Sequence, residues 1–247
     1  PLKNLVWCFF YFKPRYIFVA HIPLFFLTPH LALKSWLKKL YLQIFKLTHR
    51  LQFVAVSEFK RKLWREPGQV IVLTPTDFGP VQPHPDDLKI AVVCNQLADR
   101  GEELGIELLT KLQKKFPIQI VGNNPGIPGA IRPKSQNEFI ELLKQTAIYL
   151  YTIRYPYGDG YNTAMLEAMN MGMAIVTVDN PSSPIEHERN GLVGRTDEEL
   201  AQHLERLRGD PELTASLGAA ARATIAAKFS REQYLTGWQQ AFREAPR

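Results

Sequence analysis

The stretch YPYGDGYNTAMLEAMNMGMAIVTVDN, residues 155–180, has the pattern of a glycine-rich turn, a short apolar helix and a buried strand in direct succession. Gly172 is expected to end the helix, because glycine is the residue type found most often just past a helix C-terminus. The helix carries one acid, Glu167, which lies one turn from Thr163 and one turn from Asn170 and forms a polar stripe with them. Because a carboxylate inside a closely packed helix needs hydrogen-bond partners, the stretch raises the question of what Glu167 binds.

Short apolar runs and amphipathic helical patterns alternate on both sides of this stretch. Predicted strands span residues 53–57, 69–75, 90–96, 118–123, 148–153 and 174–180. Predicted helices span residues 58–66, 101–116, 135–146, 161–171, 184–190, 196–208, 211–228 and 230–244. The strands are apolar along their whole length, which is typical of a parallel sheet covered on both faces. The alternation predicts right-handed βαβ units and an α/β fold with a doubly wound, Rossmann-like parallel sheet.

A ligand of a doubly wound sheet lies beyond the carboxyl ends of the strands, where the loops lead into helices. One such helix has Asn162 or Thr163 as its N-cap, and its N-terminal N–H groups favour a bound phosphate. Asp159 precedes Glu167 across the glycine-rich turn, so both acids are expected near the N-terminus of the same helix. A carboxylate can accept two sugar hydroxyls at once. The alternative is that Glu167 is a solvated or internally satisfied acid.

The segment GDGYNTAMLEAMNMGMAIV, residues 158–176, resembles the nucleotide-sugar signature of retaining glycosyltransferases of family 4 (group 1), which have the GT-B architecture. That signature is an acid, seven residues, a second acid, Ala-Met-x-x-Gly and a buried strand. Its residues are matched here by Asp159, Glu167, Ala168, Met169 and Gly172. The resemblance implies that Asp159 contacts the donor sugar and that Glu167 binds the ribose of the nucleotide. Weaker likeness extends over residues 50–245.

The resemblance also implies roles for residues outside the signature. Arg100 and Gly101 stand where the family has a Lys-Gly pair on the diphosphate, whereas Cys94 and Asn95 occupy the place of an earlier arginine. For Arg100, the alternative is a surface residue at a helix start. The remaining residues that would lie close to the donor are His21, Asn123, Gly160, Tyr161, Asn162, Thr163, Ser182 and Ser183. For His21 the alternative is a structural residue.

The resemblance implies three segments: a remnant of an acceptor-side domain (1–67), a nucleotide-sugar-binding domain (68–228) and a helix that crosses back (229–247). The glycine-rich loop that opens the family's first domain is missing before residue 50, so the acceptor domain is expected to be incomplete. The implied reaction is hexosyl transfer, with retention of configuration, from a nucleoside diphosphate sugar to an acceptor hydroxyl in cell-surface polysaccharide or glycolipid synthesis. It requires no metal and no cofactor besides this co-substrate. The acceptor is a carbohydrate or is lipid-linked.

A second hypothesis is a non-catalytic partner subunit that binds a nucleotide sugar. It follows from the missing loop and the missing arginine, which leave fewer groups to stabilise the leaving diphosphate. A nucleotide-sugar epimerase would need an acid–base set close to the sugar, and the sequence offers none that can be named.

Charge is distributed unevenly along the 247 residues. Residues 1–65 contain twelve Lys and Arg against one Glu, whereas the rest contains eighteen against twenty-three acids. This distribution favours an interpretation in which the aromatics of the first part fill a core coated by lysines; the alternative is that this aromatic, basic part faces an anionic membrane surface. No nucleic-acid motif is present, so no nucleic-acid partner is expected.

Two cysteines and six scattered histidines show no metal-ligand spacing, and the cysteines form no disulfide framework. The longest apolar run is interrupted by prolines and histidines, and no signal-peptide pattern is found. These features predict a cytoplasmic protein that can lie on the inner face of a membrane.

Overall fold

The computed structural model describes residues 16–20, 29–48, 51–84, 86–154, 157–158, 161–180 and 183–244, with the backbone alone described at 29–31 and 48. In chain order the strands are β1 Tyr16–Ala20, β2 Leu51–Ala55, β3 Gln69–Val70, β4 Lys89–Val93, β5 Ile118–Val121, β6 Thr146–Tyr151, β7 Ala174–Val178 and β8 Leu192–Gly194. The helices are α1 Pro29–Thr48, α2 Glu58–Trp64, α3 Gly101–Leu104, α4 Ile106–Gln113, α5 Gln136–Lys144, α6 Thr163–Met171, α7 Asp197–Gly209, α8 Pro211–Lys228 and α9 Arg231–Glu244.

Residues Thr74–Ser230 form a compact unit around a parallel sheet with the strand order β5-β4-β6-β7-β8. Every residue of β6 and β7 is buried, because helices cover both faces of the sheet. The strand order reverses at β4, and the loops that follow β4 and β6 therefore diverge at a topological switch point. The predicted α/β class with a Rossmann-like parallel sheet is confirmed.

The described residues up to Leu73, together with Arg231–Glu244, form a second unit built on the parallel sheet β1-β2-β3. One face of this sheet carries Phe53 and packs against Leu42 of α1. The other face carries Val54 and packs against Ala241 of α9. The chain therefore divides after residues 73 and 230, where the sequence places boundaries after residues 67 and 228.

The helix predicted over 101–116 is interrupted at Gly105, which has φ of +72° and separates α3 from α4. A Cβ at Gly105 would lie 2.6 Å from the carbonyl oxygen of Thr152, so the backbone at the break packs directly against the residue that follows β6. The Thr152 hydroxyl donates to the Leu104 carbonyl at 2.7 Å and holds the end of α3 there. The interruption thus places α3 and α4 beside the carboxyl end of the sheet.

The helix predicted over 184–190 is wrong, because a loop occupies these residues. Glu188 has φ of +61°, which breaks a right-handed helix, and its N–H donates to the Gly191 carbonyl at 2.8 Å. The buried Asn190 organises the loop by accepting from the Glu186 N–H at 2.7 Å and donating to the Pro184 carbonyl at 3.1 Å. The short strand β8 follows directly and was not predicted.

Other differences concern the lengths of strands and the unit that contains β1 and α1. The strand predicted over 69–75 is reduced to β3, and the sequence assigned neither β1 nor α1, which both fall in the basic, aromatic segment. Among the described helices, none combines the length and the apolar composition that crossing a bilayer requires.

Candidate functional site

The loop between β6 and α6 is tied to the end of β7 by a buried amide. Asn180 follows β7, is 5% exposed, and donates its Nδ2 to the Gly158 carbonyl at 2.9 Å. The Asn180 carbonyl in turn accepts from the Ser183 N–H at 2.9 Å. Gly158 is needed because a Cβ there would lie 2.7 Å from the Tyr151 hydroxyl. Asn180 therefore joins two loops at the carboxyl ends of neighbouring strands.

Helix α6 starts at this joint. The Asn162 side chain accepts from the Met165 N–H at 3.2 Å and caps the helix, as the sequence predicts, and Gly172 ends it with φ of +83°. The other N–H groups of the first turn lack intrahelical acceptors and lie at the positive end of the helix dipole. Thr163, the first residue of the helix, is exposed. This end of α6 can therefore accept an anion from solvent.

Glu167 is half-buried one turn into α6, and its carboxylate is held by Thr76. The hydroxyl and the backbone N–H of Thr76 lie within reach of this carboxylate and favour its ionised form. Burial raises the pKa of the Glu167 carboxyl above its ordinary value of 4.5, and these two groups of Thr76 oppose that shift. Asn170 belongs to the same stripe and donates to the Thr76 carbonyl at 3.4 Å. Glu167 is therefore an oriented carboxylate rather than a freely solvated one.

Thr76 belongs to the proline-rich segment 74–84, which lies along α5 and α6. The Val81 N–H donates to the Met171 carbonyl at 2.8 Å, so the segment binds the last turn of α6. The Gln82 N–H donates to the Lys144 carbonyl at 2.7 Å at the end of α5. These main-chain bonds fix the position from which Thr76 reaches Glu167.

Asparagines join the loops that leave β4 and β5. Asn95 accepts from the Asn123 N–H at 2.7 Å through its side-chain oxygen. Asn124 is 6% exposed, accepts from the Leu97 N–H at 2.9 Å and donates to the Cys94 carbonyl at 2.8 Å. Asn123, the residue predicted to lie close to the donor, is exposed. Its neighbour Asn124 is buried and joins the two loops.

Arg100 lies immediately before α3 and forms a fork with Glu103. The guanidinium donates to the two carboxylate oxygens at 3.1 and 2.7 Å, and its side chain is 43% exposed. It lies close enough to Cys94 to act on the thiol, although burial dominates and raises the pKa of Cys94 to about 11. Cys94 is therefore a protonated thiol at neutral pH. Arg100 is accessible to an anion, but a ligand must compete with Glu103.

The remaining predicted residues are distributed around the start of α6. Tyr161 packs edge-to-face against Phe229, with the ring centroids 5.3 Å apart. The hydroxyl of Ser183 accepts from the Ile185 N–H at 3.2 Å within its own loop. Gly101 is the first residue of α3. The predicted residues that lie outside the described part of the chain are His21, Asp159, Gly160 and Ser182. In the part that is described, no three His, Cys, Asp or Glu side chains gather into a possible metal site.

Sequence reasoning missed Thr76, Asn124 and Asn180, which orient the predicted residues. Asn180 ends the quoted stretch and follows a buried strand, so its position beyond a carboxyl end was a usable signal. Asn124 follows another strand in the same way. Thr76 had no such signal, because its partner lies far away in the sequence.

Comparison with known proteins gives a family and a fold. Residues 102–240, more than half of the chain, match the family model described as "Glycosyl transferase-like". The human alpha-1,3/1,6-mannosyltransferase ALG2 is 30% identical over 107 residues, which cover 42% of this chain and 25% of the human protein.

Two solved structures resemble the chain over 92% of its length. Anabaena HepE in complex with UDP-glucose has a TM-score of 0.70 and 14% identity, with 72% of that chain covered. A mutant of S. aureus TarM in complex with fondaparinux, alpha-GlcNAc-glycerol and UDP has a TM-score of 0.69 and 18% identity, with 50% of that chain covered. The chain thus spans a quarter of the human enzyme and half of TarM. The likeness of these structures confirms the predicted GT-B-like fold.

Proposed function

Because this chain belongs to the glycosyl transferase-like family, we propose that it transfers a hexose from a nucleoside diphosphate sugar to an acceptor hydroxyl with retention of configuration. The observation that carries the proposal is the half-buried Glu167 carboxylate, which Thr76 orients on α6 beside the carboxyl ends of the sheet. A carboxylate with two fixed donors still has lone pairs for two further hydroxyls, which is what a ribose offers.

The donor would lie across the N-terminus of α6. The ribose binds Glu167, the diphosphate lies at the N-terminal N–H groups of α6 and at Arg100, and Asp159 positions the sugar. As the bond to the sugar breaks, negative charge grows on the diphosphate, and the helix end and Arg100 stabilise it. In the same scheme Gly101, Asn123, Gly160, Tyr161, Ser182 and Ser183 line the donor. The cationic role is thus filled by the backbone and arginine, so the scheme needs no metal.

The relatives suggest which ligands to try first. HepE was solved with UDP-glucose and TarM with UDP, which makes UDP the first nucleotide to test. TarM was also solved with alpha-GlcNAc-glycerol, and the human relative is a mannosyltransferase. We propose a carbohydrate or lipid-linked acceptor, a role in cell-surface polysaccharide or glycolipid synthesis, and a location in the cytoplasm or on the inner face of its membrane.

A non-catalytic partner subunit that binds a nucleotide sugar is the second candidate, and the pairing of Arg100 with Glu103 favours it. The one predicted phosphate-binding arginine is engaged, and the end of β4 offers Cys94 and Asn95 rather than a second arginine. Calorimetric titration with UDP, GDP and ADP tests donor binding, and release of sugar from UDP-glucose tests catalysis. Binding with release supports the enzyme, binding without release at any acceptor supports the subunit, and failure of all three nucleotides to bind contradicts both.

Replacing Glu103 with glutamine should raise the affinity for UDP about two- to fivefold, because an exposed ion pair of this kind contributes about 1 kcal/mol or less. The substitution removes the charge that competes with the diphosphate for Arg100. Calorimetry with UDP and with uridine checks the prediction, since uridine has no phosphate and its affinity should not change. A gain for both ligands, or a loss for UDP, would show that Arg100 does not bind the diphosphate.

Replacing Thr76 with valine should lower the affinity for UDP about tenfold or somewhat more, since a hydrogen bond to a charged group contributes about 1.5 kcal/mol or somewhat more. Valine keeps the shape and the backbone N–H but removes the hydroxyl that orients Glu167. The informative measurement compares UDP with 2′,3′-dideoxy-UDP, which lacks the ribose hydroxyls. The variant should lose affinity for UDP alone, and Thr76→Ser should restore it. An equal loss for both nucleotides would assign Thr76 a merely structural role.

A further inference from the structure

Helix α1 has two apolar faces, and only one of them is buried. Leu42 and Phe45 pack against the three-stranded sheet. The second face is a row of large side chains that are 40% to 87% exposed: Leu33, Trp36, Leu37, Leu40, Ile44 and Leu47. At 3.6 residues per turn these positions lie within an arc of about 100°, and the row is about 21 Å long. A continuous row of this kind differs from the single apolar side chains that are normal on a protein surface. We call it the α1 row.

The helix that carries the α1 row is fixed to its unit. Glu66 is buried just after α2, accepts from the Gln43 amide and binds the Lys46 ammonium at 2.6 Å. Tyr16 of β1 packs edge-on against Phe45, with the ring centroids 5.0 Å apart. Because Lys46 and Phe45 lie on the side of the helix away from the α1 row, their contacts hold the row toward solvent.

The charges on α1 all have one sign. The helix contains Lys34, Lys38, Lys39 and Lys46 and no acidic residue. Lys46 pairs with Glu66, whereas no ion pair joins the other three to any residue that the structure describes. The whole of residues 1–65 carries twelve basic residues against one acid. The surface around the α1 row is therefore complementary to an anionic partner.

We propose that the α1 row docks the protein on an anionic membrane surface. The six side chains enter the layer between headgroups and acyl chains, while Lys34 and Lys39, which flank the row on its two sides, bind lipid phosphates. A second copy of the chain fits this surface less well. In a symmetric dimer through α1 the lysines of one helix would face the same lysines of its partner, and like charges across an interface are unfavourable.

Vesicle sedimentation tests the contribution of the apolar row. The 247-residue chain should bind phosphatidylglycerol-containing vesicles at low ionic strength, and the double variant Trp36→Ser, Leu40→Ser should bind about tenfold more weakly or worse. The matched control is Leu235→Ser, Phe242→Ser, which removes two exposed apolar side chains of α9 and should leave vesicle binding unchanged. Circular dichroism should show both double variants folded, because all four side chains are exposed.

The lysines are tested separately. Replacing Lys34 and Lys39 together by glutamine should weaken vesicle binding about 25-fold, since each basic residue near an anionic surface contributes about fivefold. High salt should have the same effect on the unaltered chain. Equal binding to vesicles of neutral phosphatidylcholine would overturn the proposal, as would an absence of binding to anionic vesicles. A concentration-dependent dimer that the Trp36→Ser, Leu40→Ser variant abolishes would assign the row to a second copy instead. None of these measurements requires a nucleotide, so the outcome is independent of the donor site.

Discussion

Replacing Glu167 with alanine should lower the affinity for UDP about 100-fold, because the variant loses the acceptor for two ribose hydroxyls and each such bond to a charged group contributes about 1.5 kcal/mol or more. Sugar transfer should fall below detection, since the donor would no longer be held in one position. Calorimetric titration with UDP and an assay of sugar release from UDP-glucose measure the two effects.

Glu205→Ala is the matched control for this variant. Glu205 is an exposed glutamate on α7, a different helix from the one that carries Glu167. The substitution should therefore leave UDP binding unchanged. Both variants should melt close to the unaltered chain. If Glu167→Ala binds UDP as tightly as Glu205→Ala does, the ribose is not bound by Glu167 and the proposed donor geometry is wrong.

The pKa of Glu167 gives the same site a pH dependence. Burial raises this pKa above 4.5, and the carboxyl must be ionised to accept both hydroxyls. As the pH falls the group takes up a proton, so binding should weaken, beginning at a higher pH than for an exposed glutamate. Uridine is the suitable ligand, because it has no diphosphate that titrates in the same range. The affinity of Glu167→Gln for uridine should be low and independent of pH. A parallel decline in that variant would assign the titration to another group.

The sequence predicts the helix that carries Glu167 because local and global signals agree there. Asn162 caps α6, Gly172 ends it, and the strands on both sides are mostly apolar and buried throughout. The same agreement predicts the parallel sheet and the positions of the loops at its carboxyl end. Residues in those loops can therefore be nominated from the sequence before their contacts are known.

The contacts that orient the nominated residues are not predictable in this way. Thr76 reaches Glu167 from a segment whose prolines indicate only a linker, and the main-chain bonds that place it form between groups every residue possesses. Gly105 reads as a tolerated glycine within a helical pattern, yet its close approach to Thr152 divides the helix. In both cases the cause is a tertiary contact over a long sequence separation.

The loop 183–191 shows how a local pattern can mislead. Its charged residues at helical spacing favour a helix, but Asn190 uses both ends of its amide to close a loop and also donates to the Thr224 hydroxyl of α8 at 2.9 Å. The helical pattern of α1 misleads in the opposite way. No helix is predicted there from the sequence, whereas the spacing of the apolar residues produces a helix with two apolar faces.

Replacing Gly218 with alanine should destabilise the Thr74–Ser230 unit by about 3 kcal/mol, because overpacking against backbone cannot be relieved by a side-chain rotation. Gly218 lies in α8, and a Cβ there would be 2.0 Å from the carbonyl oxygen of Gly172 and 2.9 Å from its carbonyl carbon. The two helices would have to separate where α6 ends. Urea unfolding followed by circular dichroism measures the loss.

Gly209→Ala provides the comparison, because a Cβ at Gly209 would meet nothing within 4 Å. Gly209 is the last residue of α7, and alanine there should be neutral or should stabilise by up to about 1 kcal/mol through helix propensity. If Gly218→Ala stabilised the protein to the same extent, α8 would not approach α6 as closely as the structure places it. Because Gly172 ends the helix that carries Glu167, Gly218→Ala should also weaken UDP binding in conditions where the protein is fully folded. A variant that loses stability but keeps its full UDP affinity would show that nucleotide binding at the N-terminus of α6 does not depend on how the C-terminus of α6 is packed.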